Sequence, residues 1–290
     1  MIWRTTRGDI DLSRGALVMG VVNVTLDSFS DGGKFASPEA AVAHALAMIA
    51  EGADIVDIGG ESTRPGAEPV SEEEEMRRVL PVVERLNDEC RMLNAEGGTI
   101  HHFPLTSIDT YKPEVARAAI ARGAAIINDV TGLRDDAMLE VARVTGAGVV
   151  AMHMQGTPRD MQNSPRYDDV VAEVREFFRQ TFARAVNCGV SPMQLAFDPG
   201  IGFGKSVAHN LALLKNLASL RVEDRPLVVG VSRKSFIGKI LGTMEMEARF
   251  WPTVALTSHA REQGANVVRV HDVKANAQAL RMTEAILHDK

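Results

Sequence analysis

Cysteine, aromatic residues and long apolar runs are all scarce in this chain of 290 residues. The two cysteines, Cys90 and Cys188, lie far apart without a CxxC or metal-ligand spacing, so we expect two reduced thiols rather than a disulfide framework. No apolar run approaches the roughly 18 residues of a membrane span, and the charged N-terminus has no apolar core of a secretory signal. These absences argue against secreted disulfide-rich and membrane-spanning classes, and we expect a cytoplasmic protein.

An excess of basic residues is also missing. Lysine and arginine together number 32 against 38 aspartate and glutamate, which gives a net charge of −6. A surface with this balance has no general attraction for nucleic acid or an anionic membrane, so we expect small-molecule partners and only local anion sites. Hydrophobic residues at 45% and charged residues at 24% are typical of a globular protein with a large core.

Short apolar, β-branched runs recur along the chain, and each precedes a Gly-, Pro- or Ser-rich stretch and an amphipathic segment. Runs this apolar are typical of parallel strands that are buried on both faces. The predicted strands are 16–22, 54–58, 105–108, 125–128, 149–152, 194–197, 227–231 and 266–270. Eight βα units without a linker predict an α/β fold, a single (β/α)8 TIM barrel forming one domain over 1–290. An open doubly wound sheet is the alternative.

Two connections after strands are longer than the few residues usual in βα units. They run over 23–37 and 59–71, and each ends at a helix N-cap signal, Ser37 before Pro38 and Ser71 in a capping-box pattern with Glu74. In a barrel, the C-terminal ends of all strands open onto one face. These long loops 1 and 2 therefore predict a site at that face.

Nearly every predicted strand ends in a polar residue, although one such residue alone is equally explained as a helix cap. These residues are Asn23, Asp57, Glu61, Asp109, Asn128, His153, Asp198, Ser232, Lys234, Arg269 and His271. One subset offers acceptors and a donor suited to a flat heterocycle with ring N–H and NH₂ groups: Asp109, Asn128, Asp198 and Lys234. A second subset offers the donors expected of a phosphate or diphosphate pocket: Asn23, Thr63, Arg64, Arg269 and His271.

Rival motifs fit less well. The glycine-rich stretch 200–206 is not a P-loop, because Pro199 stands where that motif needs its first glycine, and we interpret it as a flexible lid beside Asp198. No HxH pattern of a metallohydrolase barrel follows the first strand. Lys234 lies among polar neighbours, which favours hydrogen bonding over Schiff-base chemistry.

Paired motifs at the first two long loops resemble the signatures of the dihydropteroate synthase family. They read NVTLDSFSDGG over 23–33 and DIGGESTRPG over 57–66. The resemblance continues in order through 107–110, 127–130, 152–156, 198–205, 232–235 and 269–272. It therefore covers the chain from the first predicted strand to the eighth.

The resemblance implies a transferase of folate biosynthesis that condenses 6-hydroxymethyl-7,8-dihydropterin diphosphate with 4-aminobenzoate. The products are 7,8-dihydropteroate and diphosphate, diphosphate leaves early, and the aryl amine then attacks. It also implies Mg²⁺, a sulfonamide target and a homodimer.

The resemblance further assigns roles to residues of this chain. Pterin binding falls to Asp109, Asn128, Met152, Asp198, Phe203, Lys234 and Arg269. Diphosphate binding falls to Asn23, Thr63, Arg64, Arg269 and His271, with Asn23 also at the metal. The 4-aminobenzoate site takes Phe29, Thr63, Pro65, Lys234 and Ser235. Catalytic roles fall to Asp27, Asp31, Thr63, Arg64, Arg269 and His271.

One residue departs from the family pattern, since Leu26 stands where a proline is usual, and proline lowers the entropy cost of ordering a loop. Two alternative functions stay open. A pterin-binding methyltransferase acting on a corrinoid has no use for the anion site of Arg269 and His271. A non-catalytic pterin-binding paralogue is expected to have lost loop residues such as Asp27 or Thr63, and both are present.

Overall fold

The computed structural model describes residues 1–13, 15–25, 37–62, 66–95, 104–157, 161 and 164–288. Strands and helices alternate after an N-terminal pair of strands. The strands are β1 (Ile2–Thr5), β2 (Gly8–Asp11), β3 (Leu17–Asn23), β4 (Ile55–Gly59), β5 (Leu105–Asp109), β6 (Ile126–Asp129), β7 (Gly148–Met152), β8 (Leu195–Asp198), β9 (Val228–Val229) and β10 (Val267–Val270). The helices are α1 (Pro38–Ala50), α2 (Glu72–Ala95), α3 (Pro113–Ala121), α4 (Asp136–Thr145), α5 (Val170–Asn187), α6 (Val207–Lys215), α7 (Ser235–Leu241), α8 (Phe250–Glu262) and α9 (Val273–Leu287).

Eight strands form one parallel sheet whose two edges meet. The order is β8-β7-β6-β5-β4-β3-β10-β9. Phe197 in β8 pairs with Leu227 just before β9, and the Phe197 N–H donates to the Pro226 carbonyl at 2.9 Å. The sheet is therefore a nearly closed barrel with helices between its strands, which confirms the TIM barrel and excludes the open sheet.

Each predicted strand is present, and its bounds differ by one or two residues. The largest difference is β9, which ends at Val229 although the apolar run continues to Val231. The chain turns there, because the Lys234 N–H donates to the Val231 carbonyl at 3.3 Å. The two predicted long loops follow β3 and β4, and a third long connection, 153–169, follows β7.

The side chains inside the barrel change from apolar to polar along its axis. Because strand side chains alternate between the two faces, every second residue points inward. The inward layer near the strand starts is apolar and fully or almost fully buried: Met19, Ile55, Ile126, Val150, Ala196, Val228 and Val267. The inward layer two residues further on is polar or charged at Asp57, Asn128, Asp198 and Arg269. The alternation therefore places the charged groups above an apolar floor.

A two-stranded hairpin covers the end of the barrel where the strands begin. Strands β1 and β2 pair antiparallel, and Trp3 on β1 is fully buried against the apolar inner layer. The Trp3 indole N–H donates to the Gln194 carbonyl at 2.8 Å, and a Cβ on Gly148 would lie 3.0 Å from the Arg4 carbonyl. This hairpin was not predicted from the sequence, since two strands of four residues give too short a pattern.

Both predicted helix N-caps form, one of them incompletely. The Ser37 hydroxyl accepts from the Ala40 N–H at 3.3 Å, and the Ser71 hydroxyl accepts from the Glu74 N–H at 3.2 Å. The Glu74 carboxylate instead accepts from Arg77 and Arg78. The predicted capping box at α2 is therefore only half made, because two guanidinium groups compete for the carboxylate.

None of the helices in the described part of the chain combines the length and apolar character that crossing a membrane requires.

Trp3→Phe tests the covering role of the hairpin, because it keeps an apolar ring and removes the indole N–H. A buried carbonyl that loses its donor costs about 1–3 kcal/mol, so we expect the free energy of unfolding to fall by that amount in urea titrations. Trp251→Phe is the control, since Trp251 is 73% exposed and its change should stay within about 0.5 kcal/mol. Equal losses in the two variants would contradict a packed hairpin.

Candidate active site

A cavity opens at the C-terminal end of the barrel, above the apolar floor. It encloses about 340 Å³ and is open to solvent. Its walls are Asp109, Asn128, Val130, Met152, Asp198, Gly200, Ile201, Phe203, Gly230, Lys234 and Arg269. The sequence-predicted heterocycle group Asp109, Asn128, Asp198 and Lys234 is therefore brought together, with Met152, Phe203 and Arg269 beside it.

A buried charge network ties four strands together at the cavity floor. The Asp57 Oδ2 atom on β4 accepts from Asn128 Nδ2 on β6 at 2.9 Å and from Arg269 Nε on β10 at 2.7 Å. Arg269 also donates from Nη2 to Asp109 Oδ2 on β5 at 2.7 Å. These contacts fix the positions of Asn128, Arg269 and Asp109 relative to one another.

Asp57 is a residue whose part in the site sequence reasoning missed. The sequence identifies Asp57 as a polar residue near the end of a strand, but it was assigned no role in binding or catalysis. Its side chain is fully buried beneath the cavity and does not line it. Its position two residues after the inward-facing Ile55 is the signal that could have found it.

Burial shifts the protonation of both cavity carboxyls. It raises the pKa of Asp109 to about 7, with Asp57 adding to the rise and Arg269 opposing it. It also raises the pKa of Asp198, which the Gly200 N–H and the Lys234 charge oppose. These two groups therefore hold their protons more tightly than exposed aspartates do.

The pKa values of the two cavity cations, Lys234 and Arg269, shift in opposite directions. Burial and the neighbouring Arg269 charge lower the pKa of Lys234 to about 8. Although burial disfavours the Arg269 cation, Asp57 and Asp109 raise its pKa above the ordinary arginine value. Arg269 is therefore the permanent charge of the cavity, whereas Lys234 titrates close to neutral pH.

Phe203 lies over Lys234 at one wall of the cavity. The Lys234 ammonium is 3.9 Å from the centre of the Phe203 ring, which is cation–π geometry. Gly202, with φ of +85°, passes so close that a Cβ would lie 3.1 Å from Lys234 Cδ. The glycine-rich stretch is thus packed directly against the lysine.

The predicted flexible lid over 200–206 is wrong, because this stretch is held by several hydrogen bonds. The Gly202 N–H donates to Asn210 Oδ1 at 2.7 Å, and the Tyr167 hydroxyl donates to the Gly204 carbonyl at 2.9 Å. At Gly200, with φ of +64°, a Cβ would lie 1.9 Å from the His153 carbonyl. The glycines serve close packing of a fixed wall rather than flexibility.

Lys205 fastens the same wall to the end of β7. Its buried ammonium donates to the Phe203 carbonyl at 2.9 Å and lies 3.1 Å from His153 Nδ1. Burial lowers the pKa of Lys205 to about 7, and burial with the Lys205 charge lowers the pKa of His153 to about 3. His153, one of the polar strand-end residues, is therefore a neutral acceptor engaged by this lysine.

The residues predicted for an anion occupy neighbouring strand ends. Asn23 ends β3 and His271 follows β10, and these two strands are paired. The His271 N–H donates to the Ser232 hydroxyl at 3.2 Å, and His271 Nδ1 lies 2.9 Å from the same oxygen. Ser235 is the exposed first residue of α7. Of the residues predicted for the anion, Arg269 lines the cavity, whereas Asn23 and His271 are not part of its lining.

Glu61 belongs to an ion cluster and does not line the cavity. It accepts from the Lys112 ammonium and from the Tyr111 hydroxyl, the latter at 3.0 Å. Lys112 also donates to the Val70 carbonyl at 2.6 Å and to Glu75. Lys112 therefore joins both ends of the loop that follows β4.

The other predicted site residues lie outside the described residues. They are Asp27, Phe29, Asp31, Thr63, Arg64 and Pro65, together with Leu26. Within the described ranges, no cluster of three or more His, Cys, Asp or Glu side chains is arranged to hold a metal ion.

Comparison with protein families gives a match over residues 19–271 to the family described as pterin binding enzyme. The chain is 47% identical to the dihydropteroate synthase of Escherichia coli strain K12 over 273 residues. That alignment covers 94% of this chain and 92% of the relative.

Solved structures of similar proteins share the fold. The Yersinia pestis dihydropteroate synthase in a sulfonamide drug complex is 42% identical, with a TM-score of 0.90 and 99% of each chain covered. The Xanthomonas albilineans dihydropteroate synthase with 4-aminobenzoic acid is 44% identical, with a TM-score of 0.87 and the same coverage. The latter protein has also been solved in complex with 7,8-dihydropteroate.

Asp109→Asn tests the raised pKa of this carboxyl through protein stability. An unfolded aspartate releases its proton near pH 4, whereas folded Asp109 keeps it to about pH 7. The ionisation of this group therefore lowers the free energy of unfolding as pH rises between those values, on the order of 1 kcal/mol per pH unit at most. Since the substituted amide cannot ionise, the stability of the variant relative to the parent should rise between pH 5 and pH 8.

Urea titrations at the two pH values give this difference. Asp88→Asn is the matched control, because the Asp88 side chain is 58% exposed, and its stability relative to the parent should change little with pH. A difference for Asp109→Asn that stays constant with pH would contradict the raised pKa.

Proposed function

Since this chain belongs to the pterin binding enzymes and, within them, to the dihydropteroate synthases, we propose that the cavity at the barrel mouth is its catalytic site. The enzyme is a transferase of folate biosynthesis, EC 2.5.1.15. It condenses 6-hydroxymethyl-7,8-dihydropterin diphosphate with 4-aminobenzoate, and the products are 7,8-dihydropteroate and diphosphate. The family assignment argues against the methyltransferase alternative, because the curated relatives are synthases.

One observation carries the assignment of the cavity. All seven residues that the sequence predicts for pterin binding line it, although they come from six different strands or the loops after them. They are Asp109, Asn128, Met152, Asp198, Phe203, Lys234 and Arg269. If these residues served only to cap the helices that follow them, there would be no reason for all seven to line one cavity.

The pterin ring is proposed to lie in this cavity with its polar edge toward the charged wall. Asp109, Asn128 and Asp198 offer oxygen acceptors for ring N–H and NH₂ donors, and the Lys234 ammonium donates to a ring acceptor. Met152 and Phe203 supply apolar surface for the ring faces. The apolar floor beneath limits how deep the ring can enter.

The diphosphate is proposed to lie above Arg269, toward Asn23 and His271. The C–O bond of the hydroxymethyl group breaks, and its electron pair leaves with diphosphate while the electron-rich dihydropterin delocalises the positive charge on the methylene carbon. The 4-aminobenzoate nitrogen then attacks that carbon, and its proton passes to water or diphosphate. The Arg269 cation and the His271 ring stabilise the departing anion, so that no strong base is needed.

Mg²⁺ is proposed as the metal of this reaction. Magnesium usually takes only one or two protein oxygen ligands and completes its shell with waters and substrate phosphates. The Asn23 side chain fits this role, because it has an amide oxygen at the mouth and no hydrogen-bond partner among the described residues. When bound, Mg²⁺ would supply neutralisation of charge on the diphosphate oxygens.

The 4-aminobenzoate is proposed to lie on the outer side of Lys234, near Ser235. The exposed position of Ser235 at the start of α7 leaves its hydroxyl and backbone N–H open to a carboxylate. Complexes of the similar synthases with 4-aminobenzoic acid and with a sulfonamide drug support an aminobenzoate pocket that sulfonamides also occupy. Asp27, Phe29, Asp31, Thr63, Arg64 and Pro65 are proposed to complete this side.

The chain is also proposed to work in the cytoplasm as one domain over 1–290. Cys90 and Cys188 are free thiols, as expected in a reducing compartment. The barrel runs from β3 to α9 with the hairpin packed against it, which supports a single folding unit.

The deciding experiment supplies the pterin diphosphate, 4-aminobenzoate and Mg²⁺ and detects 7,8-dihydropteroate by chromatography with mass spectrometry. We expect product, and a sulfonamide should raise the KM for 4-aminobenzoate without lowering kcat. His271→Asn should lower kcat about 10²-fold, because the shorter amide can replace only Nδ1 beside Ser232 and the donor at Nε2 to the leaving anion is lost. His259→Asn, on α8 away from the cavity, should keep kcat near that of the parent. No product with both substrates saturating would contradict the proposal.

A homodimer through the C-terminal helices is proposed as well. Seven of the ten large apolar side chains that the described residues expose lie between positions 240 and 287. They are Ile240, Leu241, Met244, Trp251, Met282, Ile286 and Leu287. Exposed large apolar side chains, where they form a contiguous patch, are typical of a protein interface, and we propose that these residues contribute to one.

Met244→Glu tests this interface, because Met244 is 77% exposed and a charge there must be buried on association. Analytical ultracentrifugation should show a dimer for the parent and a shift toward monomer for the variant. Met92→Glu is the matched control, since Met92 is 52% exposed on α2, and it should remain dimeric. A parent chain that is monomeric at micromolar concentration contradicts the dimer.

A further inference from the structure

Asp57 contacts the cavity walls but never the cavity itself. Its side chain is fully buried, and Oδ2 accepts from both Asn128 Nδ2 and Arg269 Nε. Asn128 and Arg269 both line the cavity, whereas Asp57 does not. The hydrogen bonds of Asp57 can therefore affect a ligand only through these two residues.

We propose that Asp57 is a positioning residue, which determines the atoms that Asn128 and Arg269 present to the pterin diphosphate. The inference rests on the proposed function of the cavity. It assigns to Asp57 the recognition of the ring through Asn128 and the orientation of the anion-binding guanidinium through Arg269.

The first consequence concerns the amide of Asn128. A side-chain amide carries an acceptor oxygen on one side and a donor NH₂ on the other, and either side fits almost the same space. The Asp57 Oδ2 atom already accepts from the Arg269 N–H, so it offers no donor and selects the NH₂ side. The carbonyl oxygen of Asn128 is then left for the cavity, where it matches a ring N–H donor and repels a ring acceptor.

The second consequence concerns the plane of Arg269. A guanidinium group has five N–H donors in a rigid plane. Nε points to Asp57 and Nη2 to Asp109, so the orientation of the plane is fixed by two carboxylates on neighbouring strands. Without Asp57, the hydrogen-bonded carboxylate that remains is Asp109, which is a proposed ligand of the ring. Asp57 therefore keeps Arg269 from being held by a substrate-binding group alone.

The second oxygen of Asp57 indicates that stability alone does not explain the residue. Asp57 Oδ1 is buried and has no hydrogen-bond partner among the described residues. The hydroxyl of Ser107, which is opposite Asp57 in the register of β4 and β5, is in the same condition. A buried polar atom without a partner costs stability. Asp57 differs from Ser107 because its other oxygen accepts hydrogen bonds from two residues of the cavity wall, and strained or costly groups persist where they serve a site.

The test begins with Asp57→Asn, which keeps the size of the side chain. The new amide can turn either its oxygen or its NH₂ toward Asn128, and it carries no charge for Arg269. We expect affinity for 6-hydroxymethyl-7,8-dihydropterin diphosphate, measured by calorimetry with Mg²⁺, to fall about tenfold or more. We expect kcat to fall as well, while the KM for 4-aminobenzoate at saturating pterin changes less than about twofold. Ser107→Ala is the matched control, with parental affinity and turnover expected.

A double variant, Asp57→Asn with Asn128→Asp, gives a rescue that a merely structural role would not produce. The amide introduced on β4 donates from its NH₂ to the carboxylate introduced on β6, whose other oxygen faces the cavity as an acceptor. The charge of the site is unchanged, but the hydrogen bond from Arg269 Nε to position 57 is given up. We expect the double variant to bind the pterin substrate more tightly than Asn128→Asp, in which two carboxylates face each other. If Asp57→Asn does not fold, the comparison of Asn128→Asp with the double variant makes the same test.

Three results would overturn the inference. The first is parental pterin affinity in Asp57→Asn, and the second is a loss that affects both substrates equally and is matched by Ser107→Ala. The third is a double variant that binds the pterin substrate no more tightly than Asn128→Asp. A parent enzyme that forms no dihydropteroate would instead overturn the proposed function, so the two failures are distinguishable.

Discussion

The ion pairs of Arg269 with Asp57 and Asp109 are the interaction on which the cavity depends. A guanidinium buried in a barrel must have its charge and its N–H groups satisfied, because an unpaired charge in such surroundings costs several kcal/mol. The two carboxylates come from neighbouring strands, and Arg269 comes from the strand on the other side of β3. Asp57 and Arg269 each lie two residues beyond an apolar inward residue, Ile55 and Val267, whereas Asp109 lies two residues beyond Ser107, the register partner of Asp57. The charge network thus lies at the bottom of the cavity, directly above the apolar layer.

Burial explains why the neighbouring groups titrate where they do. Taking Asp109 and Lys234 out of water disfavours the charged form of each, and their pKa values lie at about 7 and about 8. Lys205, buried behind the wall, has its pKa shifted to about 7 for the same reason. The cavity therefore holds groups that change charge close to neutral pH around one arginine that does not.

The sequence predicted the barrel well because most strands are short apolar runs, such as the GVVAM of β7, and each can be recognised without knowledge of its partners. It also predicted the strand-end residues that gather at the mouth, since barrel topology alone brings strand ends together. It could not show that Asp57 pairs with Arg269, because 212 positions separate them and no local pattern records that contact. The glycine-rich stretch was misread for a related reason: glycine permits both flexibility and close packing, and only the tethers from Asn210 and Tyr167 decide between them.

The N-terminal hairpin gives the barrel a blind end. With Trp3 packed beneath the apolar layer, a ring that enters between the strands has a single way in and the same way out. If the ring lies deepest, as proposed, it would have to enter before any molecule that binds above it. For the same reason a product containing that ring would leave only after the diphosphate above it.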